Sequence, residues 1–259
     1  MQPKPRSIDR RFGTNDFCTA DEEFRPMGDD QADATRRAGT KSCGQPTRAT
    51  VRDTYDRIAT HFAATREYAW PEVETFVDET AGETHTVGLD LGCGNCRHAE
   101  LLYGADLETV VGVDVSRGLL ETGRERGRER SFAVELCQAD ATTLPLTEDS
   151  IDLAVYVATL HHLPSETARR ASLDELARVL DPDGRALVSA WSTAHDRFDA
   201  TESFDTTIEW TLPGSETVDR FYHIYAPEDF ERDLEASDLA LLEWELSSGN
   251  CYATVVSPE

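Results

Sequence analysis

Residues 87–98 read Val-Gly-Leu-Asp-Leu-Gly-Cys-Gly-Asn-Cys-Arg-His, and this stretch limits the folds open to the chain more than any other. A short apolar run ends in a glycine-rich turn, and the turn opens into helical spacing at Ala99, Leu101 and Leu102, which predicts strand, tight turn and helix. Gly92 and Gly94 can take positive φ at no steric cost and let the backbone approach a ligand closely. A second apolar run, Val110–Val113, ends in Asp114. That acid follows Gly92 by about twenty residues, where a doubly wound α/β protein places the carboxylate that accepts hydrogen bonds from ribose hydroxyls.

The turn departs from the dinucleotide fingerprint, because Asp90 precedes the glycines and Cys96 holds the third small position. Further on come Gln138-Ala-Asp140-Ala141, Leu144-Pro-Leu, Ser150-Ile-Asp-Leu-Ala-Val-Tyr and Leu180-Asp-Pro-Asp-Gly184-Arg-Ala-Leu-Val, in that order. The ordered set, from Val51 to Val256, resembles the class I S-adenosylmethionine-dependent methyltransferases. The resemblance implies a Rossmann-like α/β fold with a seven-stranded sheet, mostly parallel with one antiparallel strand, and helices on both faces. It also implies S-adenosylmethionine as cofactor, held by Asp90, Gly92, Cys93 and Gly94 of the turn and by Asp114 and Val115 after the second strand. In that class an acid placed like Asp140 meets the adenine amino group, and Ala141 would be the flanking backbone donor. A leading helix covers the pocket, so Tyr55, Arg66 and Trp70 would line its mouth; helix packing for Tyr55 and Trp70, or solvation for Arg66, is the plainer reading.

Residues 1–48 carry no sustained apolar period and read as a disordered tail, leaving 49–259 as a single domain. Val51, Tyr55, Ile58, Ala59 and Phe62 predict a first helix, and Pro71 suits the first turn of a second, over 71–79. Strands are expected over 87–91, 110–113, 132–137, 151–157 and 185–190, with helices over 97–103, 118–130 and 165–180 between them. Each crossover is long enough for parallel pairing. Asp181-Pro-Asp-Gly184 reads as a turn. Residues 192–219 read as an acidic, irregular insertion on the acceptor side, a lid or platform. A helix over 227–236 and two antiparallel strands, 240–246 and 252–256, close the chain.

With 259 residues, one core of this size needs no disulfide staples. Lys+Arg number 25 against Asp+Glu 50, a net charge of −25, and the only lysines are Lys4 and Lys41. An acidic, lysine-poor composition is that of proteins hydrated in molar salt, so a halophilic cytoplasm is expected. Such a charge opposes long-range attraction to nucleic acid, but at molar salt the Debye length is about 3 Å, and local arginines decide binding. Six cysteines form no disulfide framework, and no signal peptide or membrane-crossing run is expected. Cys93-x-x-Cys96 has no second Cys/His pair to complete a tetrahedral site, so no metal is expected.

Three stretches narrow the resemblance: Tyr55-Asp-Arg-Ile-Ala-Thr-His-Phe with Thr65-Arg66 and Trp70-Pro71; Leu160-His161-His162-Leu with Arg169-Arg170; and Arg220-Phe-Tyr222-His223-Ile-Tyr225. Together they are similar to the family that methyl-esterifies 5-carboxymethyluridine at the wobble position of tRNA. The resemblance implies tRNA as acceptor and a small zinc-binding activator subunit as partner. Cys96 in place of glycine, an insertion short of basic residues and the lack of lysine are departures from the family. In such a reaction Arg66 and Arg220 would clamp a carboxylate or phosphate, and His161, Tyr222 and His223 would orient it. A carboxylate is already ionised near neutral pH and needs no general base, whereas a hydroxyl or amine would need a histidine to act as one. A small-molecule methyltransferase and a cofactor-binding regulatory scaffold are the alternatives.

Overall fold

The computed structural model describes residues 46–82, 86–105 and 107–258. Most of the expected tail lies outside these residues, but Thr47 and Arg48 do not belong to a tail. Thr47 is the N-cap of α1 (Arg48–Ala63), closed by a reciprocal capping box with Thr50. α2 (Pro71–Thr80) starts on its proline, with Glu72 and Glu74 in the first turn, where the helix dipole favours negative charge.

The elements that follow are β1 (Val87–Leu91), α3 (Arg97–Gly104), β2 (Thr109–Asp114), α4 (Arg117–Arg130), β3 (Glu135–Gln138) and β4 (Ile151–Tyr156). After a single 3₁₀ turn at Leu160–His162 come α5 (Glu166–Val179), β5 (Leu180–Trp191), β6 (Phe204–Thr211), β7 (Thr217–Ile224), α6 (Pro227–Glu235), β8 (Ala240–Ser247) and β9 (Asn250–Val256). Seven strands form one sheet in the order β3-β2-β1-β4-β5-β9-β8. The first five run parallel, and β9 is antiparallel to both neighbours. β1 is buried at four of its five positions, as a parallel strand covered on both faces requires. One core, with Tyr156, Leu173, Leu176 and Phe230, lies against α5 and α6; the other, with Val73, Leu102, Leu120 and Val155, lies against α2, α3 and α4. Among the described residues no helix is long and apolar enough to cross a membrane.

The structure departs from the sequence reading in three further places. β3 is shorter than expected, because Phe132 precedes it and packs with the second core instead of extending the strand. Asp181–Gly184 does turn, with Asp183 N–H donating to the Asp181 carboxylate, but the turn is a bulge inside β5, between the Ile151–Leu180 and Leu153–Arg185 pairs. The stretch 192–219 is not irregular. Its second half forms β6 and the start of β7, a two-stranded antiparallel hairpin whose strands pair from Phe204–Ile224 to Thr211–Thr217. The hairpin is joined to the end of β5 where Tyr225 N–H donates to Trp191 O and Thr193 N–H donates to Tyr225 O.

Candidate functional site

The carboxyl ends of β1 and β2 and the segment after β3 surround a cleft. Tyr55, Gly92, Gly94, Asp114, Val115, Asp140 and Ala141 all line it. α1 forms the opposite wall through Arg48, Val51, Tyr55 and Phe62.

Local chemistry shapes the turn. Gly92 (φ +76) faces Thr159 so closely that a Cβ there would lie 2.1 Å from Thr159 Oγ1. Gly94 (φ +52) is the reverse case, with nothing within 4 Å of an added Cβ, so its open side is space for a ligand against bare backbone. The third small position, Cys96, takes φ +62 as N-cap of α3, a left-handed conformation that ordinarily suits glycine. Gly123 of α4 makes room for it: a Cβ at Gly123 would lie 2.5 Å from Cys96 Sγ. Cys93 Sγ likewise packs against Gly112 and is buried. Its thiol is pushed well above the ordinary range, first by its hydrogen bond with Cys96 and then by burial.

The three acids differ. Asp114 accepts from Gly94 N–H at 2.9 Å and Ser116 N–H at 2.8 Å, one on each oxygen, leaving lone pairs open to further donors. Burial raises its pKa to about 6 despite these bonds. Asp140 is held by Thr142 N–H at 3.0 Å on Oδ1 and by the Arg48 guanidinium at 2.8 Å on Oδ2. Asp90 is not among the lining residues. Its Oδ2 accepts from Ala99 N–H at 2.9 Å, capping the amino end of α3. Oδ1 lies 4.0 Å from His98 Nδ1; burial pushes Asp90 up to about 7 and His98 well down, so the imidazole is neutral and the contact is not an ion pair.

The cleft therefore fits a nucleoside cofactor: two carboxylates at neighbouring strand ends, a bare glycine between them and an apolar lining from Leu91, Val113, Leu119 and Leu163.

Beyond Tyr55 lies a second cluster. His162 Nδ1 is 2.9 Å from Phe221 O, and a carbonyl only accepts, so Nδ1 carries the proton. Nε2 is then an acceptor, and Tyr55 OH donates to it at 2.8 Å. His161 Nδ1 accepts from Trp191 N–H at 3.0 Å, leaving its proton on Nε2. Burial depresses both imidazoles, His162 to about 3. Arg220 is 6% exposed and hydrogen-bonded to Tyr55, and its guanidinium lies 4.7 Å from the Trp210 ring centre and 5.3 Å from that of Tyr222. Its Nε has no partner, and no carboxylate among the described residues forms an ion pair with it. Arg66 lies over Phe62 at 4.6 Å and Trp210 at 5.8 Å.

Arg66, His161, Arg220 and Tyr222 thus gather around the Tyr55–His162 wall. His223 does not join them. It projects from the opposite face of β7, bonded to Asp205 at 2.7 Å and packed on Tyr225. Of the adjacent histidine pair the sequence reading chose His161 for the site, whereas it is His162 that lines the cleft, together with Arg48 and Thr159, which that reading did not select. Strand alternation was a signal for part of this, since Arg220 and Tyr222 share a face and His223 falls on the other; no local signal pairs Tyr55 with His162.

Residues 89–188 match the family described as a methyltransferase domain. A tRNA (carboxymethyluridine(34)-5-O)-methyltransferase of Arabidopsis thaliana is 30% identical over 224 residues, 81% of this chain and 51% of the relative. An Encephalitozoon cuniculi protein named as a candidate methyltransferase is 31% identical over 180 residues, 67% of this chain and 79% of that protein. The chain spans about half of the Arabidopsis relative and only 20% of the mouse enzyme of the same name, to which it is 34% identical over 142 residues. Among solved structures, an S-adenosylmethionine-dependent methyltransferase from Clostridium acetobutylicum superposes with a TM-score of 0.62 at 15% identity, over 79% of this chain and 99% of that one. The [4+2]-cyclase SpnF gives 0.63 at 18%, over 82% and 97%. A methyltransferase from Haloferax volcanii in complex with the Trm112 activator gives 0.59 at 14%, over 81% and 98%. A cyclase among these neighbours illustrates that the likeness is one of fold and does not fix the reaction.

Proposed function

The chain belongs to the methyltransferase-domain family, and on that premise we propose that it methyl-esterifies a carboxymethyl group on the wobble uridine of tRNA, using S-adenosylmethionine. The observation that carries this reading is the state of the two histidines. His162 Nε2 is taken by Tyr55 and His161 Nδ1 by a backbone N–H, so neither offers a free basic nitrogen. A hydroxyl or amine acceptor would need one. A carboxylate needs none.

Arg220 supports the same conclusion. Burying a guanidinium without a carboxylate is unfavourable, and an anionic acceptor placed against it would restore the balance. Arg66 and Arg220 provide the positive charge, with Phe62, Trp210 and Tyr222 fixing the guanidinium planes. When bound, the cofactor would supply an electrophilic sulfonium methyl, which a carboxylate oxygen held against Arg66 and Arg220 could accept without a proton being moved. Asp114 would hold the ribose, Asp140 the adenine amino group, and Gly92, Cys93 and Gly94 the turn. Asp90 serves the cofactor indirectly, by capping α3 and so fixing that turn. Tyr55 and His162 set the wall between donor and acceptor. Orientation of this kind is worth up to about 7–11 kcal/mol in favourable systems.

The Haloferax complex supports a small activator subunit as partner, and the charge of −25 supports a high-salt cytoplasm as setting. The test is transfer of labelled methyl to tRNA carrying 5-carboxymethyluridine, with and without activator, read by nucleoside mass spectrometry. An alkali-labile methyl on that nucleoside is expected, and Arg220→Ala should lower turnover by about 10²-fold or more. Labelling of small metabolites with none in tRNA would overturn the assignment.

A further inference from the structure

Asn95 stands between Gly94, which lines the cleft, and Cys96, and it is 8% exposed. Its amide nitrogen donates to Arg66 O at 2.7 Å and to Ala63 O at 3.2 Å. Two carbonyls can only accept, so the side-chain nitrogen faces them. Ala63 is the last residue of α1, and Arg66 lies in the link from α1 to α2. Arg126 of α4 holds the same link, donating to Glu67 O at 2.6 Å and to Arg66 O at 3.4 Å. One residue before Asn95, Gly94 N–H donates to Asp114 Oδ2. Two successive residues of the turn therefore touch the ribose acid on one side and the acceptor-side arginine's backbone on the other.

We propose that Asn95 is a positioning residue that transmits occupancy of the nucleoside cleft to the Arg66 link; this rests on the reading of the cleft as a nucleoside cofactor site. Gly94 has φ +52 and open space where a side chain would stand, so a ligand can pack directly against the backbone of the turn there. Its restriction by Asp114 and ligand passes through Asn95 to the Ala63 and Arg66 carbonyls, and Arg66 is held over Phe62 and Trp210. Such coupling is reciprocal. Donor-site occupancy tightens acceptor binding, and acceptor tightens donor binding by the same factor.

Hydrogen exchange read by mass spectrometry, with S-adenosylhomocysteine as probe, tests this. In the unaltered protein the probe should slow exchange across residues 63–70 by up to about tenfold, the scale of one net hydrogen bond. Asn95→Ala should keep probe binding and lose that effect, with a raised KM for tRNA and unchanged kcat at saturation. Asn95→Asp keeps the shape but cannot donate to both carbonyls, and should behave as Asn95→Ala. Equal slowing in Asn95→Asp and the unaltered protein would overturn the proposal. So would probe binding, read by calorimetry, without slowing at 63–70 in the unaltered protein, a result that needs no variant. Absence of any probe binding would overturn the cofactor reading itself and this proposal with it.

Discussion

Asp90 and Asp114 sit near the ends of adjacent strands with the same side chain and take different roles. Asp114 lines the cleft, whereas Asp90 turns into the protein to cap α3. Both have pKa values raised by burial, to about 6 and about 7. For such acids the unfolded chain binds fewer protons than the native one between about pH 4 and pH 7, so their contribution to stability falls as pH rises through that window and is constant above it. Asp90→Asn keeps an acceptor for Ala99 N–H and removes the buried charge. Its melting temperature should exceed that of the unaltered protein at pH 8, with the gap closing by pH 5, in calorimetry across pH. On the proposal that Asp114 holds the cofactor's ribose, its protonation as pH falls through about 6 should raise the donor KM. The kcat should show no histidine limb, because His161 and His162 remain neutral throughout. A bell-shaped kcat profile centred on a histidine pKa would contradict this.

At the scale of elements, the α3 N-cap and the middle of α4 form one fitted pair. Gly123→Ala adds a methyl where Cys96 Sγ already sits and should cost about 1–3 kcal/mol by overpacking. Cys96→Gly frees that space and restores the residue a left-handed position favours. The double variant should therefore recover the loss and exceed Cys96→Gly alone, because alanine is the better helix former by about 1 kcal/mol; additive effects in denaturant unfolding would refute the pairing. The helices and parallel strands around this pair were legible in the sequence, since each presents its own period. The hairpin was missed: the alternation of Phe204, Thr206, Ile208 and Trp210 was a signal for it, but its acidic residues read as an irregular insertion. What no local pattern carried were contacts across the chain: Tyr55 with His162, Asn95 with Arg66, Arg48 with Asp140. Candidate residues could be read from the sequence, while their grouping and the odd position of His223 required the fold.

For the whole molecule, α1 is fastened at several of the places where the chemistry sits. Asp56 accepts from Ser116 Oγ at 2.7 Å and Gly118 N–H at 2.9 Å, Arg48 meets Asp140, Tyr55 meets His162, and Arg57 pairs with Glu216 of the turn between β6 and β7. The Arg48–Asp140 pair is half exposed and of little weight in strong salt; the Asp56 contacts cap α4 and survive screening. Asp56→Ala should lower stability by about 1 kcal/mol and weaken donor affinity at low and high salt alike. The charge of −25 acts over the entire surface. Its self-repulsion is screened as the Debye length shrinks from about 10 Å at 0.1 M to about 3 Å at 1 M, so the unfolding midpoint should climb with added KCl over that range. The engaged histidines have a last consequence, for selectivity. A centre with no means of stripping hydrogen from its guest sorts candidates by what they have already shed, so an amide or alcohol of the same outline would enter, sit against the guanidinium and leave unaltered.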